Sequence, residues 1–203
     1  TGGSTNEKKR EDSYKDVWTD TQYTEWLISI WQNGFDFSDS QSALLIWFAS
    51  LKMRCVMDAF EQAGFEARTL IVWNKLKAHY GGLGAQYKHR FEPLFYCFKK
   101  GNSPYFYGAS NECTVWDCEQ PHKNDLHPTM KPVELYERCI TNHSKREDIV
   151  LEFFGGSGTT LIACEKLNRK CRMMEIDPIY CQVIIDRWEK FTGKKAEKIN
   201  GAG

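Results

Sequence analysis

The chain encodes an α/β layered fold with a mostly parallel sheet, and three observations predict it. Short apolar runs alternate with amphipathic helical stretches, turn residues separate them, and one strand–glycine loop–helix–strand unit ends in an acid. Residues 1–19 open on TGGSTNEKKREDSYKD, a polar, glycine-containing segment expected to be flexible. A helix is expected over 20–33, where Tyr23, Trp26, Leu27, Ile30 and Trp31 share one face and Asp20 or Thr21 offers a cap. ALLIWFAS, 43–50, is a continuous apolar run that fits a strand buried on both faces. A helix over 52–63 closes at Gly64, and FEARTLIVWNK, 65–75, reads as the next strand. The glycine-rich HYGGLG then leads to a strand at FEPLFYCFKKG, and 101–131 reads as irregular. KPVELYERCITNHS carries a proline early in a helix, where its missing N–H costs least. A strand at 148–153, a helix at 159–168, a strand at 170–175 and a helix at 178–192 complete the chain.

With 203 residues, 41% hydrophobic, the chain suits one globular domain with a substantial core. No run approaches the ~20 apolar residues of a membrane span, and no signal peptide opens it. The eight cysteines sit mostly inside apolar periodic segments, which suits reduced thiols in a cytosolic setting rather than a disulfide scaffold. Net charge is zero and says nothing of partners.

The segment VLEFFGGSGTTLIACEKLNRKCRMMEIDP, 150–178, carries the strongest functional signal. Glycines at 155, 156 and 158 let backbone approach a ligand, and the following helix offers free N–H groups. The next strand ends at Glu175, placed to accept hydrogen bonds from both ribose hydroxyls of a nucleoside. GGSGTT matches neither the dinucleotide fingerprint nor a P-loop, so ribose recognition comes with weak pyrophosphate recognition. That favours S-adenosylmethionine over NAD. Asp177, before Pro178, reads as a helix N-cap rather than a ligand group. A tight turn with no ligand is the bland alternative.

LEFFGGSGTTLIACEKLNRKCRMMEIDPIYCQVIIDRWEKFTGKKA resembles the cofactor half of the DNA amino-methyltransferases, which methylate N6 of adenine or N4 of cytosine. HPTMKPVEL, 127–135, resembles that family's His-Pro-Thr-x-Lys-Pro block, and its position upstream of the glycine loop matches the permuted β class. YKHRFEPLFYCFKKG resembles the segment lining the flipped base. The resemblance implies a Rossmann-like methyltransferase sheet flanked by helices, with catalytic-half elements over 20–100, a target-recognition insert at 101–126 and a cofactor half at 127–203. It implies S-adenosylmethionine held by Glu152, Phe153, Gly155, Ser157, Gly158, Thr159 and Glu175, with His127, Thr129 and Lys131 closing the pocket. Glu152 and Phe153 stand where the family usually has Asp and Pro. It also implies double-stranded DNA as partner and allows a homodimer.

Residues 74–100 hold six cations (Lys75, Lys77, Lys88, Arg90, Lys99, Lys100) against one acid, Glu92, with aromatics interleaved. Phosphate neutralisation and stacking on an extruded base need these residue types. The resemblance places His89, Glu92 and Pro93 near the base, with Lys75, Lys77, Lys88 and Arg90 on DNA. Cys113, Cys118, His122 and His127 are zinc-type ligands, but their spacing is too short for a ββα finger. Catalysis in the family needs a D/S/N-P-P-Y/F/W tetrapeptide, and no Pro-Pro pair occurs here. The resemblance therefore implies a catalytic motif upstream of Thr1, a sheet incomplete at the N-terminus, and little activity of these residues alone. A catalytically dead paralogue that binds DNA or cofactor is the second reading, and an NAD-dependent oxidoreductase the third.

Overall fold

A computed structural model describes residues 18–80, 86–120 and 130–199. Helix α1 (Asp20–Phe37) is capped by Thr19 rather than by Asp20 or Thr21, the expected caps. The Thr19 hydroxyl accepts from the Gln22 N–H at 3.2 Å while the Gln22 side chain accepts from the Thr19 N–H at 3.0 Å. This reciprocal box satisfies two donors at once, which Asp20 or Thr21 alone cannot do. The helix runs past the expected end at 33 because Gly34 is buried in it, under the ring of Phe153.

Strand β1 (Ala43–Trp47) and helix α2 (Met53–Gln62) follow, and Gly64 adopts φ +93° just beyond α2, a left-handed conformation that glycine reaches without a Cβ penalty. Strands β2 (Phe65–Tyr80) and β3 (Lys88–Lys99) are longer than the sequence suggested. They extend each other as a hairpin, with a register shift between Asn74 and His79 where Leu76 takes φ +62°. A three-residue strand β4 (Val115–Asp117) lies within the region expected to be irregular; it is too short to leave an alternation pattern. Helix α3 (Val133–His143), strand β5 (Ile149–Glu152), helix α4 (Thr159–Leu167), strand β6 (Lys170–Met173) and helix α5 (Pro178–Thr192) follow the expected order.

The sheet is not mostly parallel among the described residues. One sheet has the order β1-β3-β2-β4, with β1 and β2 antiparallel to β3 and β4 parallel to β2; a second pairs β5 and β6 in parallel. Residues 81–87, between β2 and β3, are too few for a crossover helix, so those strands must run in opposite directions.

Alternation along β3 divides the core. Phe95 and Cys97 face α1 and α2 with Leu27, Trp31, Val56 and Phe60, while Leu94 and Tyr96 face α3 with Ile71, Trp73, Leu135 and Cys139. Complete burial of a ring such as Phe60 contributes about 1.5–3 kcal/mol. A third cluster joins Ile140 of α3 to Ala163 and Cys164 of α4, with Val150 and Cys171 of the smaller sheet packed on it. Helix α3 thus lies across both sheets on one side. On the other, Trp31 of α1 meets Phe153 and Phe154, both at 6.2 Å between ring centres, just past β5. No helix among the described residues is long and apolar enough to cross a membrane.

Candidate cofactor site and inter-sheet cleft

Strand β5 ends in the glycine loop, and the loop is pinned to the end of β6. Gly155 N–H donates to the Met174 carbonyl at 2.9 Å, and a Cβ on Gly155 would stand 3.0 Å from that same oxygen. Gly158 (φ +75°) is the N-cap of α4 and lies under Ile184 of α5, where a Cβ would come within 3.2 Å. These two positions require glycine for close approach and for backbone conformation respectively. Glu175, two residues beyond β6, turns its carboxylate back on the loop. Its Oε2 accepts from Gly156 N–H at 2.6 Å and its Oε1 from Asp177 N–H at 2.9 Å. Asp177 caps α5 by accepting from Ile179 N–H at 2.8 Å, as its position before Pro178 predicts. The acid and the glycine bend therefore converge, and each carboxylate oxygen keeps a lone pair for a further donor.

The other residues expected at the cofactor fall into two groups. Glu152 Oε2 accepts from the Thr160 hydroxyl at 2.7 Å and its Oε1 from Phe154 N–H at 2.9 Å. Burial pushes its carboxyl above the ordinary value of 4.5, against the lowering effect of those two bonds and of Lys131. Ser157 and Thr159 are buried, and their hydroxyls lie toward Arg187 of α5. That guanidinium donates to the Ser157 carbonyl at 2.8 Å, to its Oγ at 3.3 Å and to Thr159 Oγ1 at 3.2 Å. Phe153 packs in the core against Trp31. Lys131 is paired with Glu92 at 3.2 Å. His127 and Thr129 lie outside the described residues.

Between the two sheets runs a cleft of about 950 Å³. Its sides are β1, from Ala43 to Trp47, and β5 with Phe153 and Phe154; α1 residues such as Leu27 and Trp31 close one face and α3 residues such as Tyr136 and Ile140 the other. Among the described residues β1 pairs only with β3, and β5 only with β6. Each strand therefore has one ladder edge unused. Two buried polar groups lining the cleft, Trp31 Nε1 and Ser38 Oγ, have no hydrogen-bond partner among the described residues.

The stretch expected to face the base, residues 74–100, is less basic in three dimensions than in sequence. Lys75 pairs with Glu92 at 2.6 Å, Lys77 with Glu119, and Lys99 is buried, donating to the Ser38 carbonyl at 2.6 Å. Lys88, His89 and Arg90 are exposed at the start of β3, with Arg90 Nε donating to Asn74 Oδ1 at 3.1 Å; Tyr87 and Phe91 are exposed beside them. Pro93 is buried within β3, and Glu92 is half-buried. Of the zinc-type residues, the Cys113 thiol bonds the Val115 carbonyl and the Cys118 thiol that of Glu119, while His122 and His127 fall outside the described residues. Sequence reading assigned no role to Arg187 or Thr160 and placed Trp31 only on the apolar face of a helix. A lone arginine on a helix, or a tryptophan on an apolar face, carries no signal until the partner element is known.

A glycine loop at the end of one strand and a carboxylate just beyond the end of its parallel neighbour form the arrangement with which α/β folds bind nucleosides. The profile of the DNA methylase family, of N6/N4 type, matches residues 5–186, and the chain belongs to that family. It is 28% identical over 215 residues to the type II methyltransferase M.HindIII of Haemophilus influenzae, covering 83% of this chain and 67% of that protein. It is 29% identical to M.Cfr9I of Citrobacter freundii over 64% of this chain and 46% of that one, so it spans only part of the curated relatives' length. Among solved structures, the M1.HpyAVI–SAM complex superimposes with a TM-score of 0.70 at 26% identity, covering 81% of each chain.

Proposed function

We propose that this chain holds S-adenosylmethionine between the glycine loop and Glu175 and presents DNA to it for methylation of an exocyclic amine, adenine N6 ahead of cytosine N4. The convergence of Glu175 on Gly156 carries this reading. When bound, the cofactor supplies an electrophilic methyl group. The chain's part is to accept the ribose hydroxyls at Glu175, to offer Glu152 to the methionine ammonium, and to keep the loop rigid through Arg187. Lys88, His89 and Arg90, with the exposed rings of Tyr87 and Phe91, form the DNA-facing edge.

The cleft between β1 and β5 takes one further strand, which carries the catalytic tetrapeptide. Two ladder edges unused among the described residues, and Trp31 Nε1 and Ser38 Oγ buried with no partner among them, support this, since buried polar groups are almost always paired. Calorimetric titration tests the cofactor assignment. S-adenosylmethionine is expected to bind and NAD not to, and Glu175→Ala is expected to weaken binding by about 1–3 kcal/mol as a ribose loses its acceptor. Tight NAD binding, or an unchanged affinity in the variant, would dismiss the assignment. Binding without turnover in a protein that includes the additional strand would mark the catalytically dead paralogue, a reading the departures at Glu152 and Phe153 favour.

A further inference from the structure

Glu92 was expected beside the base and Lys131 beside the cofactor, yet they bind each other. Lys131 Nζ lies 3.2 Å from Glu92 Oε2, and the other carboxylate oxygen takes Lys75 Nζ at 2.6 Å. Each ammonium also lies on an indole: Lys131 is 5.5 Å from the Trp47 ring and Lys75 is 5.1 Å from Trp73. Those two indoles meet edge to face at 6.3 Å. Strands β1, β2 and β3 thus each send a side chain to one point, and that point is the head of α3, two residues after Lys131. One turn into the helix, Tyr136 packs against the core clusters of both sheets, and Val133 packs with Val150 and Ala163 on the smaller one. Lys131, Tyr136 and Glu152 line the same cleft, and the Lys131 charge is felt at Glu152 on its far wall.

We infer that Glu92 is a positioning residue that, through Lys131, fixes the head of α3 and so sets the distance between the base-facing wall and the glycine loop; neither side chain touches the base or the cofactor. This rests on the methyl-transfer reading of the site. Group transfer needs the reacting atoms about 3–3.5 Å apart and aligned, and a displacement of about 1 Å far from the chemistry can cost on the order of a hundredfold in rate. A pin between walls carried on separate sheets acts on that distance. Its three charges are not equivalent. Loss of Lys131 leaves Glu92 paired with Lys75, whereas loss of the carboxylate leaves two ammonium groups together with no anion between them.

The test uses the full-length protein and the variants Glu92→Gln, Lys131→Met, their combination, and Lys131→Arg, which keeps charge and reach. S-adenosylmethionine affinity is measured by titration, and kcat and the KM for DNA by methyl incorporation. Every variant is expected to hold S-adenosylmethionine within about threefold of wild type, while kcat falls roughly ten- to a hundredfold in Glu92→Gln and less in Lys131→Met. The double variant should be no worse than Glu92→Gln, because the two residues act as one unit, and Lys131→Arg should keep most of kcat. Three patterns overturn the inference: a tenfold loss of cofactor affinity confined to Lys131→Met, a rise in KM for DNA at unchanged kcat in Glu92→Gln, or losses that multiply in the double variant. Failure of the wild type to bind S-adenosylmethionine would instead remove the methyl-transfer reading and this inference with it.

Discussion

Glu152 and Glu175 are two acids at neighbouring strand ends, and their surroundings give them different work. Glu175 accepts from the backbone N–H groups of Gly156 and Asp177, which ties the glycine loop to the start of α5. Glu152 is buried, and desolvation raises its carboxyl despite Thr160, Phe154 N–H and Lys131. The sign of the consequence is fixed. A carboxyl whose folded pKa exceeds its unfolded one binds more protons in the native state, so stability is full below the ordinary value of 4.5 and falls as pH rises through the folded value. The ligand-free protein should therefore lose stability as pH climbs above about 4.5 through this group, and Glu152→Gln should lose less. Denaturant unfolding of both proteins from about pH 4 to about pH 8 reads the difference, a range that begins below the ordinary carboxylate value of 4.5. Parallel curves would mean that Glu152 is not the group responsible. Binding of a ligand ammonium beside Glu152 should reverse the trend, with affinity rising as the carboxylate ionises.

At the scale of elements, the loop between β5 and α4 shows what a linear pattern reveals. The glycine cluster, Glu175 and the Asp177 cap were all legible, because each depends on residues a fixed short distance apart on one strand–helix–strand unit. Arg187 was not. It reaches the Ser157 carbonyl only because α5 folds back over the loop, a contact 30 residues away in sequence. The same limit hid the pairing of Lys77 with Glu119 and the burial of Lys99, which made residues 74–100 look more cationic than the surface they form. Strand β4 escaped for another reason: three residues are too few to show a period, and only β2 beside it defines the strand. Gly155 tests the loop as an element. Its missing Cβ admits the Met174 carbonyl, a backbone atom that cannot rotate away. Gly155→Ala should cost about 1–3 kcal/mol of stability, as overpacking does, and should weaken cofactor binding as well. Chemical denaturation measures the first and titration the second; full retention of both would show that the loop has room to spare.

At the scale of the whole molecule, two sheets face each other across a space that neither fills. Helices α1 and α3 bridge it through Trp31 with Phe153 on one side and through Tyr136 and Ile140 on the other, and among the described residues no strand lies between the walls. The cost falls on backbone groups. Among the described residues, amides along the cleft edges of β1 and β5 have no ladder partner and the buried Trp31 Nε1 has no acceptor. Apolar side chains tell the same story: Ile149 and Leu151 are 61% and 39% exposed although they sit on a short apolar strand. Hydrogen exchange can separate a filled cleft from an open one. In residues 1–203 alone, the β1 and β5 amides that point into the cleft should exchange fast, while their β3- and β6-bonded neighbours are protected. A protein in which a further strand occupies the cleft should show protection on both edges, and its rate of methyl transfer is to be compared with that of residues 1–203. Protection of both edges in residues 1–203 alone, or methyl transfer by them, would mean that the cleft is already closed. In that case the catalytic groups must be sought on β1, β5 and the helices that cover them.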